Sequence, residues 1–373
     1  MTWAFWMAGL LIVYTYAGYP LWLWARSRWR PRPIAPAPIL PSLSIVMVVR
    51  NEERTLRAKL DNLLKLDYPE EQVQIVVVSD GSTDGTEAIL HEYAQCARVQ
   101  AVFNQLSQGK ASGLNDALSV AVGDIAVFTD ARQKIERGAL RALVADFADP
   151  DVGCVSGELM LGDPDGGEKS QGMSLYWRIE KTVRELESAA SSVVGATGAF
   201  YAVRRELVPA VPVETLLDDV YIPMEVARRG KRVVFEPAAR AWDVPDLGAE
   251  REFARKVRTL SGNYQLLQLQ PWLLTKANPI RFEFVSHKLL RLVVPFALLV
   301  ALATSGWIAR PFYRVAFLLQ LVFYGLSLVG LAGIKMGPVA RATDAAFTFV
   351  VLNTAAAVAF AKFITGRKVA WTR

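Results

Sequence analysis

The sequence predicts an α/β domain with a mixed, mostly parallel sheet, helices on both of its faces, and transmembrane helices on either side. Three observations carry this reading. Apolar runs of strand length recur between residues 43 and 129, with helical spacing between them. Uncharged runs long enough to cross a hydrocarbon core stand near both ends of the chain. A proline-rich stretch parts the first of these from the α/β region. Hydrophobic residues make up 52% of the 373 positions, and the excess over an ordinary soluble domain is concentrated at the ends.

The first run, Thr2 to Ala25, carries no charge, and Arg26, Arg28, Arg30 and Arg32 follow it. A secretory signal places its positive charge before the apolar stretch, so residues 1–25 read as an anchor. The positive-inside bias then puts the N-terminus outside and the next domain in the cytoplasm. Residues 26–41 form a basic linker whose Pro31–Pro41 part reads as extended and semi-rigid. The folded domain is assigned to 42–271, an interfacial segment to 272–291 and a membrane region to 292–373.

Within the domain, Leu43–Val49 and Val73–Val78 are continuous apolar runs, the mark of strands buried on both faces. Helical spacing follows each, over Glu53–Leu64 and from Thr86. Val99–Phe103 and Ile125–Thr129 are further strands, with a helix over Lys110–Val120 between them. Later come a helix near Ser174–Ser188 and strands near Phe200–Val203 and Arg232–Phe235. The membrane region holds three apolar runs, Leu292–Ala309, Val315–Ile334 and Ala345–Ala361. The last contains Asn353 and Thr354. Strict alternation would leave Arg367, Lys368 and Arg373 outside, against the charge bias, so the sequence leaves the topology of the tail open.

Two cysteines without metal-like spacing and two histidines argue against zinc chemistry and a Cys–His nucleophile. A net charge of +6 suits a protein lying on anionic lipid or handling phosphates. No basic stripe interleaved with aromatics points to nucleic acid.

Ligands of open parallel sheets bind beyond the carboxyl ends of the strands. Glu52 follows the first strand and Asp80 ends the second, opening a polar turn in which Asp84 suits a helix cap. Lys110 opens a helix behind Gly109, but Asn104 and Ala111 exclude a Walker loop, leaving a phosphate contact at a helix N-terminus. Asp130 ends the fourth strand, where a carboxylate can share a divalent cation with ligand phosphates. Asp218 and Asp219 are adjacent, so at most one of them points into a site there, and general-base work needs only one. Arg255 and Arg258 share a helix face and suit a diphosphate.

These pieces in this order resemble the inverting family 2 glycosyltransferases of the GT-A fold, a group that includes membrane-bound synthases of cellulose, hyaluronan, chitin and poly-N-acetylglucosamine. The resemblance covers roughly Leu43 to Pro271. It rests on V-V-R-N-E-E, V-V-V-S-D-G-S-T-D-G-T and G-K-A-S-G-L-N-D-A-L, with Asp130, Asp218-Asp219 and Arg255/Arg258 completing the set. It implies a nucleotide-sugar donor (UDP above all), a lipid-linked or saccharide acceptor, and catalysis at the cytoplasmic face of the plasma membrane. Glu52, Asp80 and Lys110 match nucleotide contacts, and Asp130 matches the first carboxylate of D-x-D, which binds Mn²⁺ or Mg²⁺ and the diphosphate. Gly198 resembles the tight segment near donor sugar and acceptor. Asp219 matches the general base beside Asp218, and Arg255 and Arg258 match the first and fourth positions of Q/R-x-x-R-W. Arg132 replaces the second D-x-D acid and Thr259 the tryptophan. Thr259 favours single transfer over processive synthesis with export, and Arg132 keeps a catalytically degenerate scaffold or transport subunit in view. A second copy of the chain or an export protein stays open as a partner.

Overall fold

The computed structural model describes residues 1–162, 175–243, 249–333 and 340–366. The tail cations Arg367, Lys368 and Arg373 lie outside them, as do Ser174 and Ile334 at the margins of two expected helices. The sheet has eight strands: β1 (Leu43–Val49), β2 (Val73–Asp80), β3 (Val99–Asn104), β4 (Ile125–Thr129), β5 (Lys134–Ile135), β6 (Val152–Leu161), β7 (Phe200–Arg204) and β8 (Arg232–Asp243). Their order is β3-β2-β1-β4-β7-β6-β8-β5. Strands β1 to β4 run parallel, β7 is antiparallel to both neighbours, β6 and β8 are parallel, and β5 is antiparallel to β8.

The helices are α1 (Thr2–Trp29), α2 (Glu53–Leu64), α3 (Thr86–Tyr93), α4 (Lys110–Val120), α5 (Ala139–Ala145), α6 (Leu175–Ala190), α7 (Asp218–Arg228), α8 (Ala249–Leu269), α9 (Arg281–Trp307), α10 (Pro311–Leu331) and α11 (Ala340–Ile364). Every residue of β1 is buried, as a strand covered on both faces requires. Leu43, Ile45, Met47 and Val49 pack with Leu56, Leu60 and Leu63 of α2, Leu90 of α3 and Leu143 of α5. Val46 and Val48 belong to the opposite core, with Leu114 of α4 and Val220, Ile222 and Met224 of α7. This two-sided burial is the fold class expected from the apolar runs.

Four helices, α1, α9, α10 and α11, are long and apolar enough to cross a membrane. The first C-terminal one starts at Arg281 rather than Leu292, so much of the expected interfacial segment is the opening of α9. Basic and polar side chains at Arg281, His287, Lys288 and Arg291 hide that continuity in the sequence. The proline-rich linker lies on the domain. Arg32 N–H donates to Ala189 O and Ala37 N–H to Ala145 O, and the buried Arg232 guanidinium reaches Arg32 O and Ser188 O at 2.8 and 2.9 Å.

Candidate active site

The carboxyl ends of β1, β2 and β4 open on one edge of the sheet, and the turns after them are built by local chemistry. Asn51 takes the left-handed conformation (φ 56°), and its side-chain oxygen accepts the Thr83 N–H at 2.8 Å, tying the first turn to the second. Glu52 is buried behind it and accepts from Thr55 Oγ1 at 2.6 Å. Asp84 accepts the Thr86 N–H at the start of α3, the capping job read from the sequence. Asp80 is fully buried, and its carboxylate is turned onto the chain itself. It accepts from Ser107 Oγ, Gln108 N and Gly109 N at 2.7, 2.8 and 3.0 Å. Asp80 thereby fixes the loop that presents Lys110. Gly81 beside it has φ 63°, and a Cβ there would lie 2.5 Å from Ser107 N, so only glycine lets the two turns meet.

Lys110 is the centre of the cleft. Its ammonium lies 3.0 Å from Asp130 Oδ1 and 3.3 Å from Asp218 Oδ1, joining the tip of β4 to the start of α7. Burial works against the charged form of Lys110. Asp130, Asp218 and Asp219 outweigh it and hold the lysine above its usual range. Asp218 is buried, while Asp219 is half-buried and lies against Gly198. A Cβ on Gly198 would come within 2.9 Å of Asp219 Oδ2. Burial and then Asp218 push the Asp219 carboxyl up to about 6, with the Lys110 and Lys288 charges pulling the other way. A carboxyl raised in this way can accept a proton near neutral pH.

At the rim, Arg255 is exposed and pairs with Glu252 Oε2 at 2.6 Å and, more loosely, with Asp243 Oδ2 at 3.9 Å. Arg258 is half-buried on the same helix. Thr259 is exposed, and its hydroxyl donates to Arg255 O at 3.0 Å within the helix. Arg132, at the third D-x-D position, turns away from Asp130 to Asp243. Among the described residues no group of three or more His, Cys, Asp or Glu side chains is placed to hold a metal ion alone. What the cleft offers a cation is Asp130, half-exposed, with one oxygen on Lys110. That fits an ion such as Mg²⁺, which uses one or two carboxylates and takes its other oxygens from substrate phosphates.

Three contributors escape sequence reading. Lys59 of α2 is buried beneath the β4 turn and donates to Thr129 Oγ1 at 2.8 Å and Gln133 O at 2.6 Å. Asp243 ends β8 beside Arg132. A third group ties the domain to the helices around it. His287 of α9 lies between Glu187 (2.7 Å) and Glu180 (3.1 Å) of α6, Tyr19 of α1 donates to Glu187 at 2.6 Å, and Arg291 donates to Glu180 at 2.7 Å. From the same helix Arg184 donates to Thr197, next to Gly198. No local period marks any of these, since each partner is distant in sequence.

A mostly parallel sheet with helices on both faces and its functional turns at the strand tips is the architecture of the GT-A fold. Residues 44–211 match glycosyl transferase family 2, and the chain carries a domain of that family. It is similar to the poly-beta-1,6-N-acetyl-D-glucosamine synthase of Staphylococcus epidermidis, with 22% identity over 242 residues, 64% of this chain and 58% of the relative. The synthase of the same name from Staphylococcus aureus (strain COL) is 24% identical over 237 residues, 61% of this chain and 56% of the relative. The chain thus spans a little over half the length of the curated relatives it matches. Among solved structures, the mannosyltransferase PcManGT from Pyrobaculum calidifontis, in complex with GDP-Man and Mn²⁺, superposes with a TM-score of 0.75. That match has 24% identity and covers 98% of this chain and 100% of the other. The likeness is one of fold.

Proposed function

We propose that this chain is an inverting glycosyltransferase, transferring a sugar from a nucleotide-sugar to a lipid-linked or saccharide acceptor at the cytoplasmic face of the membrane. The observation that carries the reading is the grouping of Asp130, Asp218 and Asp219 about Lys110, with the proton-accepting carboxylate seated on Gly198. Asp219 takes the acceptor hydroxyl proton as that oxygen bonds to the anomeric carbon. The bond to the diphosphate oxygen breaks in the same displacement, its electron pair leaving with the nucleotide, so the configuration inverts. Lys110, Arg255 and Arg258 bind the diphosphate as negative charge develops. Glu52 and the loop fixed by Asp80 hold the nucleoside. A divalent cation, Mn²⁺ or Mg²⁺, would be held by Asp130 and diphosphate oxygens and would add positive charge at the leaving group.

Thr259 supports one sugar per encounter, since a small hydroxyl bonded to its own helix offers no aromatic platform to a growing chain. The four apolar helices support an acceptor held at the bilayer. The test is nucleoside diphosphate release by the full chain in nanodiscs with native lipid extract, across UDP- and GDP-sugars with Mn²⁺, Mg²⁺ or EDTA. Release from one donor that disappears in Asp219→Asn supports the reading. Full turnover in Asp219→Asn, or no binding of any nucleotide, removes it.

A further inference from the structure

We propose that Asp243 is a positioning residue of this site, the buried counter-ion that Arg132 and Arg255 share so that both guanidinium groups meet one nucleotide diphosphate. The inference rests on reading the cleft as a nucleotide-sugar site. It begins from the arginine at position 132, which leaves the β4 turn without a second acid. The acid in this neighbourhood comes from another strand. The antiparallel register Lys134↔Trp242 and Ile135↔Ala241, carried one residue further, sets Gln133 opposite Asp243. On its other side Asp243 pairs with Leu161, and its carbonyl accepts the Gly162 N–H at 3.0 Å. The strand end is therefore gripped from both neighbours, and the side chain is only 6% exposed.

Asp243 Oδ2 accepts from Gln133 Nε2 at 3.2 Å and Arg132 Nη2 at 3.4 Å, and lies 3.9 Å from Arg255 Nη1. Arg132 belongs to the turn after β4 and Arg255 to α8, so nothing local brings them together. Two guanidinium groups sharing one buried carboxylate avoid the repulsion that would part them. Both arginine side chains stay open to solvent, at 36% and 43%. Each has five N–H donors and spends few of them on Asp243, leaving others for phosphate oxygens. Arg132, Arg255 and Lys256 set against Asp243 and Glu252 leave a net charge of +1, suited to an anion. With Asp243 neutral, the positive charge would remain but its direction would not.

The full chain in nanodiscs supplies the test, with UDP and GDP as calorimetric probes in the presence of Mg²⁺ and nucleoside diphosphate release as the rate. Asp243→Asn is expected to lower kcat at least about tenfold. Its Kd for UDP and GDP should rise as well, by about threefold or more, because the arginines it positions meet the diphosphate of the bound nucleotide. In an Arg132→Ala/Arg255→Ala background the same substitution should change kcat less than about twofold, since the groups it positions are gone. Asp243→Glu should recover part of the rate. An undiminished loss in the double-alanine background overturns the proposal, as does a fall in melting temperature that accounts for the rate and is not relieved by Asp243→Glu. Wild-type protein that binds neither UDP nor GDP sinks the underlying reading of the cleft. Wild-type binding with an additive cycle sinks only the role of Asp243.

Discussion

As the proposed base, Asp219 must be ionised to accept a proton, and burial with Asp218 pushes its carboxyl up to about 6. The rate is therefore expected to fall as pH drops through about 6, measurable as the acid limb of kcat. Lys110→Met removes the largest opposing charge, and the limb should move to higher pH. For stability the sign is opposite. A raised carboxyl binds its proton more tightly in the folded state, so its contribution is full below about pH 4 and is lost as pH rises through about 6. Lys59 shows the mirror case, since burial presses it down to about 7 with Asp130 resisting. Stability is lost as pH falls from the ordinary lysine value of 10.5 to about 7, and thermal unfolding of Lys59→Met between about pH 10 and 7 should show a flatter dependence than wild type. Gly198→Ala would set a methyl 2.9 Å from Asp219 Oδ2. A displaced base is expected to lower kcat about a hundredfold with nucleotide binding kept. Asp130, Lys110 and the Asp218–Asp219 pair are legible in the sequence because each stands at a strand tip or helix start. Lys59 reads as an ordinary solvent-facing helix lysine, and only the packing of α2 under the β4 turn corrects that.

Among the elements, β1, β2 and β4 announce themselves as unbroken apolar runs, whereas β6 does not. Its sequence, VGCVSGELML, mixes two glycines, a serine and a glutamate into a strand that lies inside the sheet. Gly157 explains part of that composition, since a Cβ there would lie 2.5 Å from Ala239 O of the neighbouring strand. Helix α6 is legible by its spacing, but its two inward carboxylates are not, because their partners lie on α1 and α9. Burial opposes the charge on Glu180, yet Arg291, His287 and Arg184 outweigh it and hold the carboxyl well below its usual range. Removing one member of such a buried set leaves the others unpaired. Glu187→Ala should therefore destabilise the protein by about 3–5 kcal/mol, read as a lower melting temperature in detergent. A change confined to the surface of α6 would not do this.

For the whole molecule, the orientation expected from Arg26, Arg28, Arg30 and Arg32 can be read with the protein's own thiols. Cys96 is half-buried and Cys154 fully buried, where burial pushes its thiol far up. A membrane-impermeant maleimide should label Cys96 in inverted vesicles and not in right-side-out ones, with Cys154 silent in both. Labelling in right-side-out vesicles would reverse the assigned face. The His287 cluster also sets an order of events during synthesis. Glu187 finds one partner, Tyr19, in a helix made before it, but His287 is made 100 residues later. At roughly 5–20 residues per second, Glu187 waits about 5–20 s on the ribosome before that partner exists. The nascent domain thus holds a helix face it cannot finish burying until α9 emerges and is placed beside α1. Maturation of the protein is in this way timed by the insertion machinery, and a stalled or mis-inserted α9 would leave a domain that protease can recognise as incomplete.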